Sequence, residues 1–368
     1  MKTITFRTIK KTGLTITGLF MFFFTFAQSG TSPNIILMIG DGMGLSQISA
    51  LYVDTGYTNF NRLPVTGLVR VSPHGAKITD SAAGATAFST GVKTYNGAIG
   101  VDQDTVSVPT IMERLKKSGY ASGVVVTSSI THATPASFYA HVAHRDQEEE
   151  IALQLPGAGF DFIAGGGLDF MEKRKDRLNL MDSLSAKGYT IFRQAIDEDS
   201  AQDTGPRAHI LAAKELERYD KGRGDFLPRY TEKALRYLSS KNQPFFLLIE
   251  GSQIDWAGHA NKADYLLEEL RDFDNVIGKV LDFVQATPNT LVIVTADHET
   301  GGFSILPGNK DYSKIKYQFA SKEHSAALIP LFARGIGAEL FSGIMENTDI
   351  HKKITEIVGI GSDQTTKK

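Results

Sequence analysis

Residues 34–42 read Asn-Ile-Ile-Leu-Met-Ile-Gly-Asp-Gly. Asn34–Ile39 (NIILMI) is a short apolar run without period-two alternation, and Gly40-Asp41-Gly42 ends it. A strand that is apolar on both faces belongs in a sheet covered on both sides. The pattern returns at Ala121–Ser128 (ASGVVVTS), Phe245–Ile249 (FFLLI), Leu291–Thr295 (LVIVT) and Leu328–Ala333 (LIPLFA). Between these runs lie segments of helical spacing. Pro109–Lys117 (PTIMERLKK) has Gly119 as its stop, and Ala263–Ala286 is a long amphipathic stretch. Strands alternating with helices predict an α/β fold: a three-layer sandwich with a large, mostly parallel central sheet flanked by helices. Residues 155–235 break the rhythm. They are richer in Lys, Arg, Asp and Gly and read as a surface insertion. The polar tail from Gly361 is expected to fray. There is no internal repeat.

The chain has 368 residues, 42% hydrophobic and 22% charged, which excludes a largely disordered or fibrous protein. Its formal net charge of −2 does not suggest a nucleic-acid coat or a polybasic membrane binder. It has no cysteine, so disulfides, thiolate metal sites and cysteine nucleophiles are excluded together. Any metal must be held by histidine, carboxylate or hydroxyl oxygen.

The first 27 residues read as a secretory signal peptide. Lys2, Arg7, Lys10 and Lys11 form the basic start, Leu14–Ala27 is apolar, and Thr25-Phe26-Ala27 puts small residues at −3 and −1 of a cut before Gln28. The other reading is an uncleaved anchor, but the apolar region is short for a span of about 20 residues. Cleavage removes four of the 39 basic residues and none of the 41 acidic ones, leaving a formal charge of −6. The expectation is export, to the periplasm or the medium, with no stable membrane span.

Four apolar strands run into polar clusters at their carboxyl ends. They deliver Asp41; His132 and Thr134; Glu250, Asp255 and His259; and Asp297 with His298. Open α/β sheets form their sites at that edge, so four such strands predict one shared site. Taken singly, each residue could be a helix cap or a solvated turn, Asp41 as an N-cap for example. Asp255 and His259 are spaced i, i+4 and face one side of a helical turn. Asp297-His298 places two donors where the chain turns, and His324 is a further candidate. Carboxylate with imidazole suits zinc, and an all-oxygen set suits magnesium. The segment Thr79-Asp80-Ser81 leads into tiny residues, Ala82–Ala87. Small residues let a helix N-terminus press against an anion. Ser81 there reads either as a metal-assisted nucleophile or as the N-cap of a tightly packed helix. No Gly-x-Ser-x-Gly elbow is nearby, so a lipase-type triad does not fit.

Five stretches, in order, resemble the motifs of the alkaline phosphatase family: ILMIGDGMG (Ile36–Gly44), TDSAAGATAFSTGVKTYNGAIG (Thr79–Gly100), HATPASFYAHVAHR (His132–Arg145), EGSQIDWAGHAN (Glu250–Asn261) and TADHETGG (Thr295–Gly302). The resemblance covers about residues 33–340. It implies that residues 28–368 form a single catalytic domain. It implies that Ser81 is the nucleophile that becomes phosphoseryl and that Arg145 grips two phosphate oxygens. It implies two Zn2+ and one Mg2+ per chain. Asp255, His259 and His324 would hold the first zinc. Asp41, Asp297 and His298 would hold the second, with Asp41 bridging to a magnesium site completed by Thr134 and Glu250. The implied reaction is hydrolysis of small phosphomonoesters to an alcohol and phosphate. The competing readings are a related metal-dependent phosphodiesterase or sulfatase, and an exported phosphate-binding protein. The family is commonly dimeric, which leaves homodimer and monomer both open.

Two positions depart from the enterobacterial pattern. His132 stands in place of Asp and Trp256 in place of Lys, both expected beside the substrate. His132 opens the third site to zinc, because imidazole suits zinc better than magnesium. Trp256 removes a cation near the phosphate. Only about 20 residues separate Gly302 from His324, too few for the large insertion of animal members.

Overall fold

The computed structural model describes residues 32–195 and 205–361, so the expected signal peptide and the tail beyond Gly361 lie outside the described residues. Eight strands in chain order are β1 (Asn34–Gly40), β2 (Val65–Arg70), β3 (Ala121–Ser129), β4 (Phe162–Gly166), β5 (Thr190–Phe192), β6 (Arg207–Ile210), β7 (Phe245–Gly251) and β8 (Thr290–Thr295). Two more, Ile329–Gly335 and Gly343–Glu346, complete a ten-stranded sheet. The order across it is Gly343–Glu346, β2, Ile329–Gly335, β8, β1, β7, β3, β4, β6, β5. Ile329–Gly335 runs antiparallel to both of its neighbours. All other pairings in this sheet are parallel.

β1 lies at the centre of the sheet, between β8 and β7. Ile35 through Ile39 are fully buried, as a strand covered on both faces requires. Helices Phe226–Ser239 and Ala263–Ala286 pack together against β3, β7 and β8, and Leu45–Thr55 packs on Ala263–Ala286. Helices Ser81–Thr90, Ile111–Lys117 and Asn347–Val358 form a second group. Ala263–Ala286 has the bounds its apolar spacing predicts, with Leu266, Leu270, Phe273, Ile277, Leu281 and Val284 buried at intervals of three and four. Among the described residues no helix is long and apolar enough to cross a membrane.

Residues 155–235 are not a surface insertion. They contribute β4, β5 and β6 to the sheet, and the Phe226–Ser239 helix packs on β3, β7 and β4. The reason they read as irregular is chemical. β6 is Arg-Ala-His-Ile, and its two polar side chains are buried by stacking. His209 lies flat on Phe192 at 4.3 Å between centroids, and the Arg207 guanidinium sits 4.6 Å from the centre of the Tyr237 ring. Hydropathy does not register burial of that kind. The short link before His324 forms a hairpin, Phe303–Pro307 with Ile315–Phe319.

Candidate active site

The four strands β8, β1, β7 and β3 are adjacent, and their carboxyl ends meet. Glu250, near the end of β7, pairs with Ile39 of β1 on one side and Val126 of β3 on the other. Asp41 follows β1, and its N–H donates to Gly251 O at 3.2 Å. Asp41 is therefore not a helix N-cap; Gly44 occupies that place for Leu45–Thr55. After β7 the helix Gln253–His259 turns Asp255 and His259 to one side, with His259 Nε2 3.3 Å from Asp255 Oδ1. His324 arrives through a two-residue antiparallel bridge, His324 opposite Thr300 and Ser325 opposite Glu299. Its Nε2 lies 3.5 Å from Asp255 Oδ1 and 3.1 Å from His259 Nε2.

Three groups of donors result, each with its ligand atoms within 4.8 Å of one another: Asp255, His259 and His324; Asp41, Asp297 and His298; and Asp41, His132 and Glu250. Two of the expected sets lie together, and in the third group His132 stands with Asp41 and Glu250. The Thr134 hydroxyl is buried as well, with no hydrogen-bond partner among the described residues. Burial and the neighbouring carboxylates push Asp41 well above the usual carboxylate range. Burial likewise raises Glu250 to about 8 and Asp297 to about 6. Burial would also raise Asp255, but hydrogen bonds from His259 and His324 hold it well below its usual value. Both Asp41 oxygens, Asp297 Oδ2, Glu250 Oε1 and His132 Nδ1 are buried with no hydrogen-bond partner among the described residues. Buried carboxylates demand compensating charge. Cations at these groups would supply it, and imidazole with carboxylate is donor chemistry that fits such ions.

Ser81 is the first residue of the helix Ser81–Thr90 and not its cap. Asp80 caps it, accepting from the Ala83 N–H at 3.0 Å. That leaves the Ser81 hydroxyl free to face the metal groups, 3.2 Å from His298 Nε2. The other oxygen of Asp80 accepts from Gly97 N–H at 3.0 Å and from Arg145 Nη1 at 3.3 Å. Arg145 Nη2 donates to His132 Nε2 at 3.2 Å, and burial with this guanidinium pushes His132 down to about 3. His132 is thus a neutral, half-buried group. Its ring meets Trp256 edge-on at 5.9 Å. Ser81, His132, Arg145, Asp255, Trp256 and His259 face one cleft of about 570 Å³. Two roles were not read from the sequence. Asp80 both caps the helix and orients Arg145. Thr300 touches ligands of two groups, and its place two residues after His298 was the available signal.

Paired carboxylate–imidazole sets and a helix-start serine at the carboxyl edge of a parallel sheet define a metal-centred α/β protein of hydrolase design. The model of the family described as alkaline phosphatase matches residues 32–318, and the chain belongs to that family. Alkaline phosphatase 4 of Bacillus subtilis (strain 168) is 39% identical over 292 residues, 74% of this chain. This chain spans 62% of that relative's length. Alkaline phosphatase of Escherichia coli (strain K12) is 30% identical over 407 residues, covering 89% of this chain and 86% of that protein. The fold is similar to alkaline phosphatase from the Antarctic bacterium TAB5, at a TM-score of 0.87 and 45% identity, covering 90% of this chain and 99% of that one. A variant of the TAB5 enzyme with a histidine replaced by aspartate, and magnesium bound in its M3 site, gives a TM-score of 0.88 with the same identity and coverage.

Proposed function

We propose that this chain hydrolyses phosphate monoesters to an alcohol and inorganic phosphate through a phosphoserine formed on Ser81. Asp255, His259 and His324 would hold one zinc. Asp41, Asp297 and His298 would hold a second, and Asp41, Thr134 and Glu250 a magnesium. The observation that carries the reading is the Ser81 hydroxyl, 3.2 Å from His298 Nε2 and opening on the cleft that Arg145 and Asp255 line. Zinc held by these two imidazole–carboxylate sets would supply Lewis acidity for an in-line displacement.

The Ser81 oxygen forms a bond to phosphorus as the ester oxygen leaves as the alcohol. Water then cleaves the seryl phosphate and restores the hydroxyl. Arg145 presents a planar fork to the non-bridging oxygens, and Asp80 holds one of its nitrogens in place. Ser81 and Arg145 address the phosphate and not the alcohol, so breadth of leaving group is expected. The basic, apolar and small-residue pattern of residues 1–27 supports a site of action in the periplasm or outside the cell.

Elemental analysis with ester assays before and after chelation tests the reading. Stoichiometric zinc and chelator-sensitive monoester turnover are expected. Preferred turnover of diesters or sulfate esters, or a protein without zinc, overturns it.

Arg145→Ala is expected to lower kcat/KM roughly 10–100-fold, the worth of charge-assisted bonds of about 1.5–3 kcal/mol. Inhibition by inorganic phosphate should weaken alongside. An unchanged phosphate inhibition constant would place the guanidinium elsewhere.

His132 Nδ1 is buried beside the carboxylates of Asp41 and Glu250. His132→Asp replaces imidazole with an oxygen donor and is expected to tighten magnesium about 10-fold or more. Magnesium in the TAB5 histidine-to-aspartate variant supports that direction. Titrating chelated protein with magnesium while following turnover decides it. Superimposable curves for wild type and variant would remove His132 from the third site.

A further inference from the structure

Thr300 belongs to none of the three donor groups, yet it is fully buried among them. Its hydroxyl donates to Asp255 Oδ1 and lies 3.2 Å from His298 Nδ1. A hydroxyl carries one proton and two lone pairs. With the proton committed to Asp255, the second contact is His298 Nδ1–H donating to Thr300 Oγ1. His298 is then held as the tautomer with Nε2 bare. Nε2 is the nitrogen that faces Asp41 at 3.3 Å, Asp297 at 3.4 Å and Ser81 at 3.2 Å.

The backbone of Thr300 is fixed as closely. Its N–H donates to Gly42 O at 3.2 Å, its carbonyl accepts from Gln47 Nε2 at 3.0 Å, and it pairs with His324 in the short bridge. Two glycines leave room for the side chain. A Cβ on Gly42 would fall 2.7 Å from Thr300 Oγ1, and one on Gly258 would fall 2.9 Å from Thr300 Cγ2. Packing of the methyl fixes χ1 and so aims the hydroxyl.

We infer that Thr300 is a positioning residue that couples the two imidazole–carboxylate sets, fixing the tautomer of His298 in one and orienting Asp255 in the other with a single hydroxyl. This rests on the proposed metal occupancy. Outer partners of metal ligands are worth about 10–100-fold in affinity. Because Thr300 touches one ligand of each set, its loss weakens two ions together. Loss of a ligand such as His259 strikes its own set.

Zinc-loaded wild type, Thr300→Val, Thr300→Ser and His259→Ala are compared by competition with a chromogenic chelator. Ring nitrogen NMR of His298 is recorded on the zinc-free proteins. The expected result is that Thr300→Val weakens both zinc constants about 10–100-fold, and that Thr300→Ser recovers to within about 3-fold of wild type. Nδ1 should be protonated in wild type and Thr300→Ser, and the tautomers mixed in Thr300→Val. If zinc-free Thr300→Val does not melt like wild type, Thr300→Ala takes its place. Wild-type zinc constants in Thr300→Val, weakening of one ion only, or no recovery in Thr300→Ser overturns the inference. A wild type without zinc overturns the metal reading instead, and the tautomer measurement on zinc-free protein still decides the role of the hydroxyl.

Discussion

Ser81→Ala is expected to abolish the acid-stable phosphoenzyme and to lower kcat by roughly 10³-fold or more, the scale of removing a nucleophile. Zinc content should change little. The Ser81 hydroxyl stands beside the second donor set, but Asp41, Asp297 and His298 already provide that set's three donors. The fold should tolerate the change. Alanine is a better helix former than serine, and the cap of this helix is Asp80, which the substitution leaves untouched. Acid quenching with phosphorus-labelled substrate, then peptide mapping, checks the assignment. The neighbouring hydroxyls are already engaged: Thr79 donates to Asp80 O and Thr86 to Ala98 O. Label found on either threonine, or full turnover in Ser81→Ala, would remove Ser81 from the chemistry.

Chelated protein is expected to lose thermal stability as pH rises, while metal-loaded protein changes far less. Without cations, Glu250 titrates at about 8 and Asp297 at about 6 in the folded chain, both chiefly through burial. Unfolded, both return to the ordinary carboxylate range, near 4. Between these values the folded chain holds protons that the unfolded chain has released, so stability falls as pH rises. His259 acts in the same direction. Its bond to Asp255 raises it to about 9, so its contribution is full below its unfolded value and is lost as pH climbs through 9. Asp255, held low, titrates below this window, and His132, held down to about 3, opposes the trend only up to its ordinary value near 6.5. Bound cations replace the missing positive charge and remove most of the dependence. The difference in melting temperature between loaded and chelated protein should widen by at least about 5 °C from about pH 5 to about pH 9. Parallel curves would mean that the buried carboxylates are compensated by something other than metal.

Local patterns carried much of the architecture. An unbroken apolar run such as NIILMI is buried on both faces wherever it lies, so β1, β3, β7 and β8 were legible with near-correct bounds. The Asp255–His259 spacing works through one helical turn and needs no distant partner. The ligand assignments came from a resemblance across five ordered motifs; the fold gathers Asp255, His259 and His324 in one donor group, Asp41, Asp297 and His298 in another, and Asp41, His132 and Glu250 in a third.

By itself, then, the sequence determined a covered, mostly parallel sheet and which residues crowd its carboxyl edge, because burial period and short-range spacing are properties of the chain alone. Only the tertiary structure decided the rest. It made β4, β5 and β6 part of the sheet, since stacking of His209 on Phe192 buries a polar strand that hydropathy places at the surface. It turned Ile329–Gly335 antiparallel between β8 and β2. It gave the helix cap to Asp80 and so freed Ser81. It brought His324 to Asp255 through pairing with Thr300, a contact between residues far apart in sequence. Such choices depend on which distant surfaces meet, and no local period encodes the free energy of that meeting.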